Sequence, residues 1–332
     1  MATKTVGATG RQYATITLWE AYLDGIGTLT EQEIGECYND ASPSFNEYVT
    51  FSGYTAASAK EAILRPASGQ GFRDTPANKL FYATANGVSW TNTTFGTYRT
   101  TCNIETTYTQ VFGMQISAGS SVYAGVFRVV AANSLMDSCI AYYTGTNSSE
   151  NIFNATNGKC VNSLFIIDNA DDFFSMRLFN TKAFYGCTIA RTSNNTPVNP
   201  MLSDGGYNTV LTLKNTAIFG SSTNAIWTVA AASVTYLATE RSDFPEAVTG
   251  EVLSVAHTTA TFVQPANTNG DYKLVAGSAL IGVGVADATN TPVDIFGTTR
   301  ADPPCIGCFE LIAAGGIAIP VLTRQYRARW AA

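Results

Sequence analysis

A short pattern recurs between Ala131 and Phe244, and it constrains the chain more than any other feature. A small or polar residue is followed by Ser, Thr or Cys, then by any residue, then by Ile or Phe. The copies are Asp137-Ser138-Cys139-Ile140, Asn162-Ser163-Leu164-Phe165, Gly186-Cys187-Thr188-Ile189, Asn215-Thr216-Ala217-Ile218 and Arg241-Ser242-Asp243-Phe244. They start 25, 24, 29 and 26 residues apart. In that period range one repeat is one supersecondary unit, which buries its apolar face only by stacking on its neighbours. The spacing therefore predicts a solenoid.

The residues around each copy decide its kind. Val161 to Ile167, Ala183 to Ala190 and Val210 to Phe219 are rich in β-branched and aromatic residues and are bounded by Gly, Asn, Asp or Ser. Such runs read as short strands between turns. No window between the copies carries a helical stripe long enough for a crossover helix. A coil of parallel strands remains, each turn hydrogen-bonded to the next. Side chains alternate across a strand, so Ile140, Phe165, Ile189, Ile218 and Phe244 are expected to share one inward face. The loop Asn194 to Pro200 accounts for the long step of 29 residues.

Composition narrows the function classes. Of 332 residues, 13% are charged and 45% hydrophobic, so Thr, Ser, Asn and Gly must supply much of the surface. A net charge of −6 offers no field for nucleic acid, and direct DNA or RNA binding is not expected. Met1 to Gly10 lacks a basic start and an apolar core, and no stretch approaches a spanning helix, so neither export by a leader nor membrane insertion is expected. Seven scattered cysteines suit a reducing compartment. Cys305-Ile306-Gly307-Cys308 has the spacing of half a zinc site or a redox pair. With one histidine, His257, and no second such pair, few other ligands are at hand, and packing is the favoured reading. No cofactor or metal is expected.

Residues 13–24 form the best helix pattern. Leu18, Trp19, Tyr22 and Leu23 share a face, and Thr17 and Glu20 have capping-box spacing. Such a helix before a strand coil can cover its first turn, with Trp19 as anchor.

Three N-terminal runs carry a resemblance: Thr5-Val6-Gly7 through Arg11-Gln12-Tyr13-Ala14-Thr15 to Leu18-Trp19-Glu20, then Gly35 to Asp40, then Gly69 to Asp74. They resemble the opening of right-handed parallel β-helix proteins of the pectate-lyase-like superfamily found in tailed bacteriophages and viral metagenomes. Asn269 to Gly284, Asp294-Ile295-Phe296-Gly297 with Arg300, and Ile306 to Glu310 resemble that superfamily's closing turns. The resemblance implies an all-β fold: a single-stranded right-handed parallel β-helix, with a capping α-helix and a C-terminal tail. It divides the chain into an arm and helix at 1–24, a coil at 25–310 and a tail at 311–332. It also implies that Cys308 sits where a small packing residue is usual. Activity does not follow, since the superfamily hosts lyases, hydrolases, adhesins and virion parts.

After Glu310 there is no acidic residue, while Arg324, Arg327 and Arg329 alternate with Tyr326 and Trp330. Cationic and aromatic residues together have the composition of an interface hot spot; the alternative is a tail folded over its own last turn. Catalysis in a coil of this kind would need carboxylates gathered on one face. The densest cluster is Asp168, Asp171 and Asp172, with Arg177 nearby, while Asp137, Glu240 and Asp243 lie scattered. Asn169 to Asp172 reads first as a turn, and His257 as a strand residue, so no catalytic residue is assigned. The expectation is a non-enzymatic virion structural protein, a capsid decoration or cement protein made in the host cytoplasm, bound to the major capsid protein or other virion proteins and trimeric by analogy. The alternative is a tailspike-like enzyme or adhesin acting on host surface glycans. Short segments on either side of the coil favour the first.

Overall fold

The structure, a computed structural model, describes residues 1–93, 100–118, 125–144, 153–155, 158–168, 176–177, 181–192, 202–203, 210–220, 227–228, 231–242, 248–265 and 270–312. It is a parallel β-helix with three faces. The first face stacks Ala2–Val6, Glu33–Cys37, Ala62–Pro66, Thr109–Phe112, Leu135–Asp137, Lys159–Val161 and Thr181–Tyr185, each parallel to the next. The second stacks Phe45–Asn46, Ser89–Asn92, Gln115–Ala118, Ile140–Tyr143, Leu164–Ile167 and Thr188–Arg191. Val210–Phe219 and Ala231–Thr239 pass through both faces as single long strands. The third face stacks Val49–Phe51, Thr100–Ile104, Gly125–Val129 and Phe153–Ala155, with Met176–Arg177, Leu202–Ser203 and Trp227–Thr228 forming a further stack. Because Ala2–Val6 pairs with Glu33–Cys37, the sheet begins before the helix rather than after it.

From Gly113 onward the corner between the first two faces turns on a single residue. Gly113, Ser138, Asn162, Gly186, Asn215 and Tyr236 follow the paired strands in register, and every one has positive φ, from 48° to 64°. A left-handed residue bends an extended chain sharply within one step, and Gly and Asn tolerate it best. Immediately after it come Met114, Cys139, Ser163, Cys187 and Thr216, all buried, with Ser163 and Thr216 hydroxyls donating to the carbonyls of Val161 and Lys214.

This register corrects the expected inward stack. Phe165, Ile189 and Ile218 are paired in sequence and lie in the interior with Ala141, but Ile140 pairs with Leu164 and faces outward. The true equivalent of Ser163 is Cys139, not Ser138. Both residues fit the second position of the pattern, which takes Ser, Thr or Cys, and a slip of one residue exchanges the two faces. Phe244 lies outside the described residues.

The helix spans Ile16–Ile26 and buries Ile16, Trp19 and Leu23, while Leu18 is half exposed. Its N-cap is Thr15, whose side chain accepts from Leu18 N at 3.1 Å, and Glu47 accepts from the amides of Ile16 and Thr17. The Thr17–Glu20 capping box does not form: Glu20 instead accepts from Ser52 N. Trp19 is fully buried, edge-on to Phe51 with ring centroids 6.1 Å apart, and lies flat over Gly35, where a Cβ would stand 2.8 Å from the indole. The helix thus closes the first turn of the coil.

The last described segment departs from expectation. The described residues of 253–312 add no further parallel strands. They run back along the outside of the second face, with one antiparallel hairpin, Phe262–Gln264 with Asp271–Leu274. Asp271 accepts from Leu80 N, Asn215 exchanges side-chain bonds with the backbone of Val285, and Cys308 N donates to Thr188 Oγ1. The reason lies in the strands beneath: Ile140–Tyr143, Leu164–Ile167 and Thr188–Arg191 are buried at every position. Their outer side chains Ile140, Leu164 and Ile166, with Ala217 and Phe219 of the strand Val210–Phe219, form a second core with Phe262, Tyr272, Leu280, Ile295 and Ile306. At Gly307, φ is +105° and a Cβ would stand 2.7 Å from Thr188 Oγ1, so only glycine lets the segment seat.

A buried ionic clamp fastens this brace. Arg300 donates to Asn162 Oδ1 at 3.1 Å and to the carbonyls of Gly307 and Cys305, and it pairs with Glu310 at 3.4 Å. Glu310 also accepts from Cys305 N, and Asp294 accepts from the amides of Phe296, Thr298 and Glu310. Burial pushes both carboxyls above their ordinary range, against the pull of these donors. The conspicuous residues of the closing motif are therefore fasteners.

Two outcomes follow from this packing. Gly35→Ala should destabilise the fold by about 1–3 kcal/mol through overpacking against Trp19, whereas Gly25→Ala, on the helix that carries Trp19 but with open space around it, should not; paired thermal melts check this. Arg300→Met leaves Glu310 buried without its cation and should cost about 3–5 kcal/mol, whereas Arg300→Met with Glu310→Gln should recover part of the loss in urea titrations.

Candidate functional site

Asp168 stands one residue beyond the strand Leu164–Ile167, at the end of the second face. Its Oδ2 accepts from the Tyr142 hydroxyl at 2.9 Å and its Oδ1 from Thr192 Oγ1 at 2.7 Å. Both partners come from neighbouring turns: residues 142, 168 and 192 are 26 and 24 apart, the period of the coil. Tyr142 stacks on Tyr82 with centroids 5.3 Å apart and a 21° interplanar angle, and Phe81 lies 5.4 Å away on a tilted plane. Burial and the adjacent carboxylate raise the Tyr142 hydroxyl pKa, and burial raises that of Tyr82. These phenols are therefore neutral donors at ordinary pH. Sequence inspection for acids alone missed Tyr142 and Thr192; the repeat spacing was the signal that points to them.

Asp171 and Asp172 lie outside the described residues, as does Asp243. Arg177 is placed on the two-residue strand Met176–Arg177, which describes its backbone only. Arg324, Tyr326, Arg327, Arg329 and Trp330 also lie outside the described residues. Asp137 belongs to the corner, where Ser138 Oγ donates to its Oδ1 at 2.8 Å. Glu240 accepts from Gly220 N at 2.7 Å. The described part of the acidic cluster is thus one carboxylate with two hydroxyl donors.

A cavity of about 350 Å³ opens beside this aromatic group, lined by Ala77, Asn78, Lys79, Phe81, Ala83, Asn86 and Gly270. Its wall brings one ammonium and two amide side chains but no carboxylate, so it offers hydrogen bonds without an acid and base pair. Among the described residues, no group of three or more His, Cys, Asp or Glu is arranged to hold a metal ion. All seven cysteines are free thiols and buried. Burial pushes Cys305 up to about 11 and Cys308 up to about 12, which disfavours the thiolate needed for redox or metal chemistry.

His257 is not on a strand. It sits in a bend near the start of the returning segment, 5.2 Å from the Phe219 ring in a stacked pose, with Phe262 and Tyr272 each at 6.1 Å. Its Nε2 is buried without a hydrogen-bond partner. Burial alone lowers its pKa to about 4, so at neutral pH it is an uncharged ring in an aromatic cage.

No family model matches the sequence, and no curated protein matches it. Among solved structures, the chain is similar to the pectin methylesterase from Aspergillus niger, with a TM-score of 0.44 and 12% sequence identity over 76% of this chain and 83% of that one.

The caged histidine has a defined pH signature. Unfolding frees it to titrate near 6.5, while the folded form resists protonation until about pH 4. The unfolded state therefore binds more protons in that window, and stability falls as pH drops from 6.5 towards 4, by about 3 kcal/mol in total. His257→Gln should flatten this part of the profile relative to the parent chain in urea titrations between pH 7 and pH 4.5.

Proposed function

We propose that this chain is a non-enzymatic virion structural protein, a decoration or cement protein that docks on a capsid shell, with the major capsid protein or another virion protein as its partner. The observation that carries this reading is where the ionisable groups go. Asp168 spends both oxygens on Tyr142 and Thr192, and Arg300, Glu310 and Asp294 bind the returning segment to the coil. Carboxylates held in this way serve the rigidity of the rod rather than an acid and base pair. The resemblance of residues 5–310 to phage β-helix proteins adds the setting. Arg324, Tyr326, Arg327, Arg329 and Trp330 are the proposed docking residues, since arginine and aromatic side chains supply charge-assisted bonds and flat apolar area. A homotrimer, virion localisation and synthesis in the host cytoplasm belong to the same proposal.

The experiment is a pair of measurements on a chain lacking residues 316–332. Its circular dichroism and melting should match those of the full chain, while its binding to particles stripped of the native copy should be abolished. Truncated protein that binds normally refutes the docking role. Release of oligosaccharides from host surface polysaccharide by the full chain, lost in Asp171→Ala with Asp172→Ala, would replace this reading with a glycan-cleaving one.

A further inference from the structure

Lys159 is on the first face, in the strand Lys159–Val161, and points away from the interior. Its Nζ touches the side-chain Oδ1 of Asn290, which belongs to the returning segment 131 residues later. The Asn290 amide nitrogen donates to both oxygens of Asp287, at 3.1 and 2.9 Å, and the Asn290 backbone amide donates to Asp287 Oδ1 at 3.0 Å. The Asp287 side chain is 6% exposed. Lys214 pairs with it at 3.1 Å, and the Lys159 ammonium also lies over the Tyr185 ring. An amine, a carboxamide and a shielded carboxylate that holds the amide nitrogen are thus assembled on one spot.

We propose that Lys159 and Asn290 join in an intramolecular amide bond, with Asp287 as the proton carrier. The amine attacks as its neutral form, after losing its ammonium proton to water. The Lys159 Nζ–Asn290 Cγ bond forms, and the Cγ–Nδ2 bond breaks. One of the two amine protons stays on the new amide; the other passes through Asp287 to Nδ2, which leaves as ammonia. No oxidant, cofactor or second protein is required. Holding the amine against the oxygen of the carboxamide that it attacks makes a slow intermolecular aminolysis unimolecular, which is the condition under which an unactivated amide can react.

The corner residues explain why the pair meets. Asn290 is carried by the turn at Asp287–Thr291, which lies against Lys214 and against Gly186, where a Cβ would stand 3.0 Å from Thr291. The link would tie the brace to the coil beside the Arg300 clamp, since Asn162, the coil residue that Arg300 holds, is three residues beyond Lys159.

Intact mass spectrometry of the purified full chain tests the proposal, followed by tryptic mapping. The expected result is a mass one ammonia below that of the sequence, and a branched peptide containing both Lys159 and Asn290, with cleavage after Lys159 lost. Lys159→Arg and Asn290→Ala should each restore the sequence mass and the linear peptides. Asp287→Ala, or Asp287→Asn if the alanine variant loses the circular dichroism of the coil, should lower the linked fraction at least tenfold after the same incubation. A parent chain of full mass, or an ammonia loss that maps to a different asparagine, overturns the bond. A linked fraction unchanged in the Asp287 variants overturns the role of that carboxylate.

Discussion

Strands that are apolar on both sides need two partners, and this requirement organises the molecule. Leu164-Phe165-Ile166-Ile167 sends Phe165 and Ile167 into the coil and Leu164 and Ile166 out of it. Winding satisfies the first pair, since every turn packs on the turns beside it. The second pair would face water, at a cost of roughly 1.5–3 kcal/mol for each large aliphatic side chain left exposed. Residues 253–312 remove that cost by returning over the second face. The coil therefore has an interior and a separate exterior core, divided by one sheet.

The brace is held differently from the coil. Ladder hydrogen bonds join turn to turn, but among the described residues the returning segment has a single short hairpin of its own. It attaches instead through scattered bonds: Asn215 holds the backbone of Val285, Arg300 donates to Asn162, Lys273 donates to the carbonyls of Pro76 and Asn78, and the amides of Tyr272 and Gly307 donate to the carbonyls of Leu80 and Asn215. An irregular chain over a sheet must satisfy its buried backbone groups somehow. The charged residues of this segment do so, which accounts for their burial.

Much of this was legible in the amino-acid sequence, and the failures have physical causes. The period, the parallel coil and Trp19 as its plug could be read because stacked turns repeat their chemistry. The register of one copy could not, because Ser138 and Cys139 both fit a position that needs only a small side chain, and the left-handed corner that separates them has no unique residue type: Gly113, Ser138, Asn162 and Tyr236 all occupy it. The returning segment was mistaken for further turns since its apolar residues resemble strand residues. A usable sign was present in the uninterrupted apolar run at 164–167, which marks a strand buried on both sides rather than one alternating between core and water. Of the candidate site, Asp168 was found and its partners were not, because Tyr142 and Thr192 are remote in sequence and adjacent only once the coil is wound.

The brace also sets an order on folding. Neighbouring turns of the coil are close in sequence and can zip together one after another as the chain is made, whereas Leu80 meets Asp271 across 191 residues and Asn162 meets Arg300 across 138. Contacts of that span close late, because the entropy of the intervening chain is lost before they return anything. During synthesis the middle turns will therefore have wound while the segment that covers them is still in the ribosome. For that interval the nascent rod displays Ile140, Leu164, Ile166 and Phe219 as a bare apolar strip. A ribosome that stalls between residues 240 and 253 would release a well-wound coil whose outer strip favours self-association, so the stretch most exposed to loss by truncation is also the one that keeps the molecule apart from its own copies.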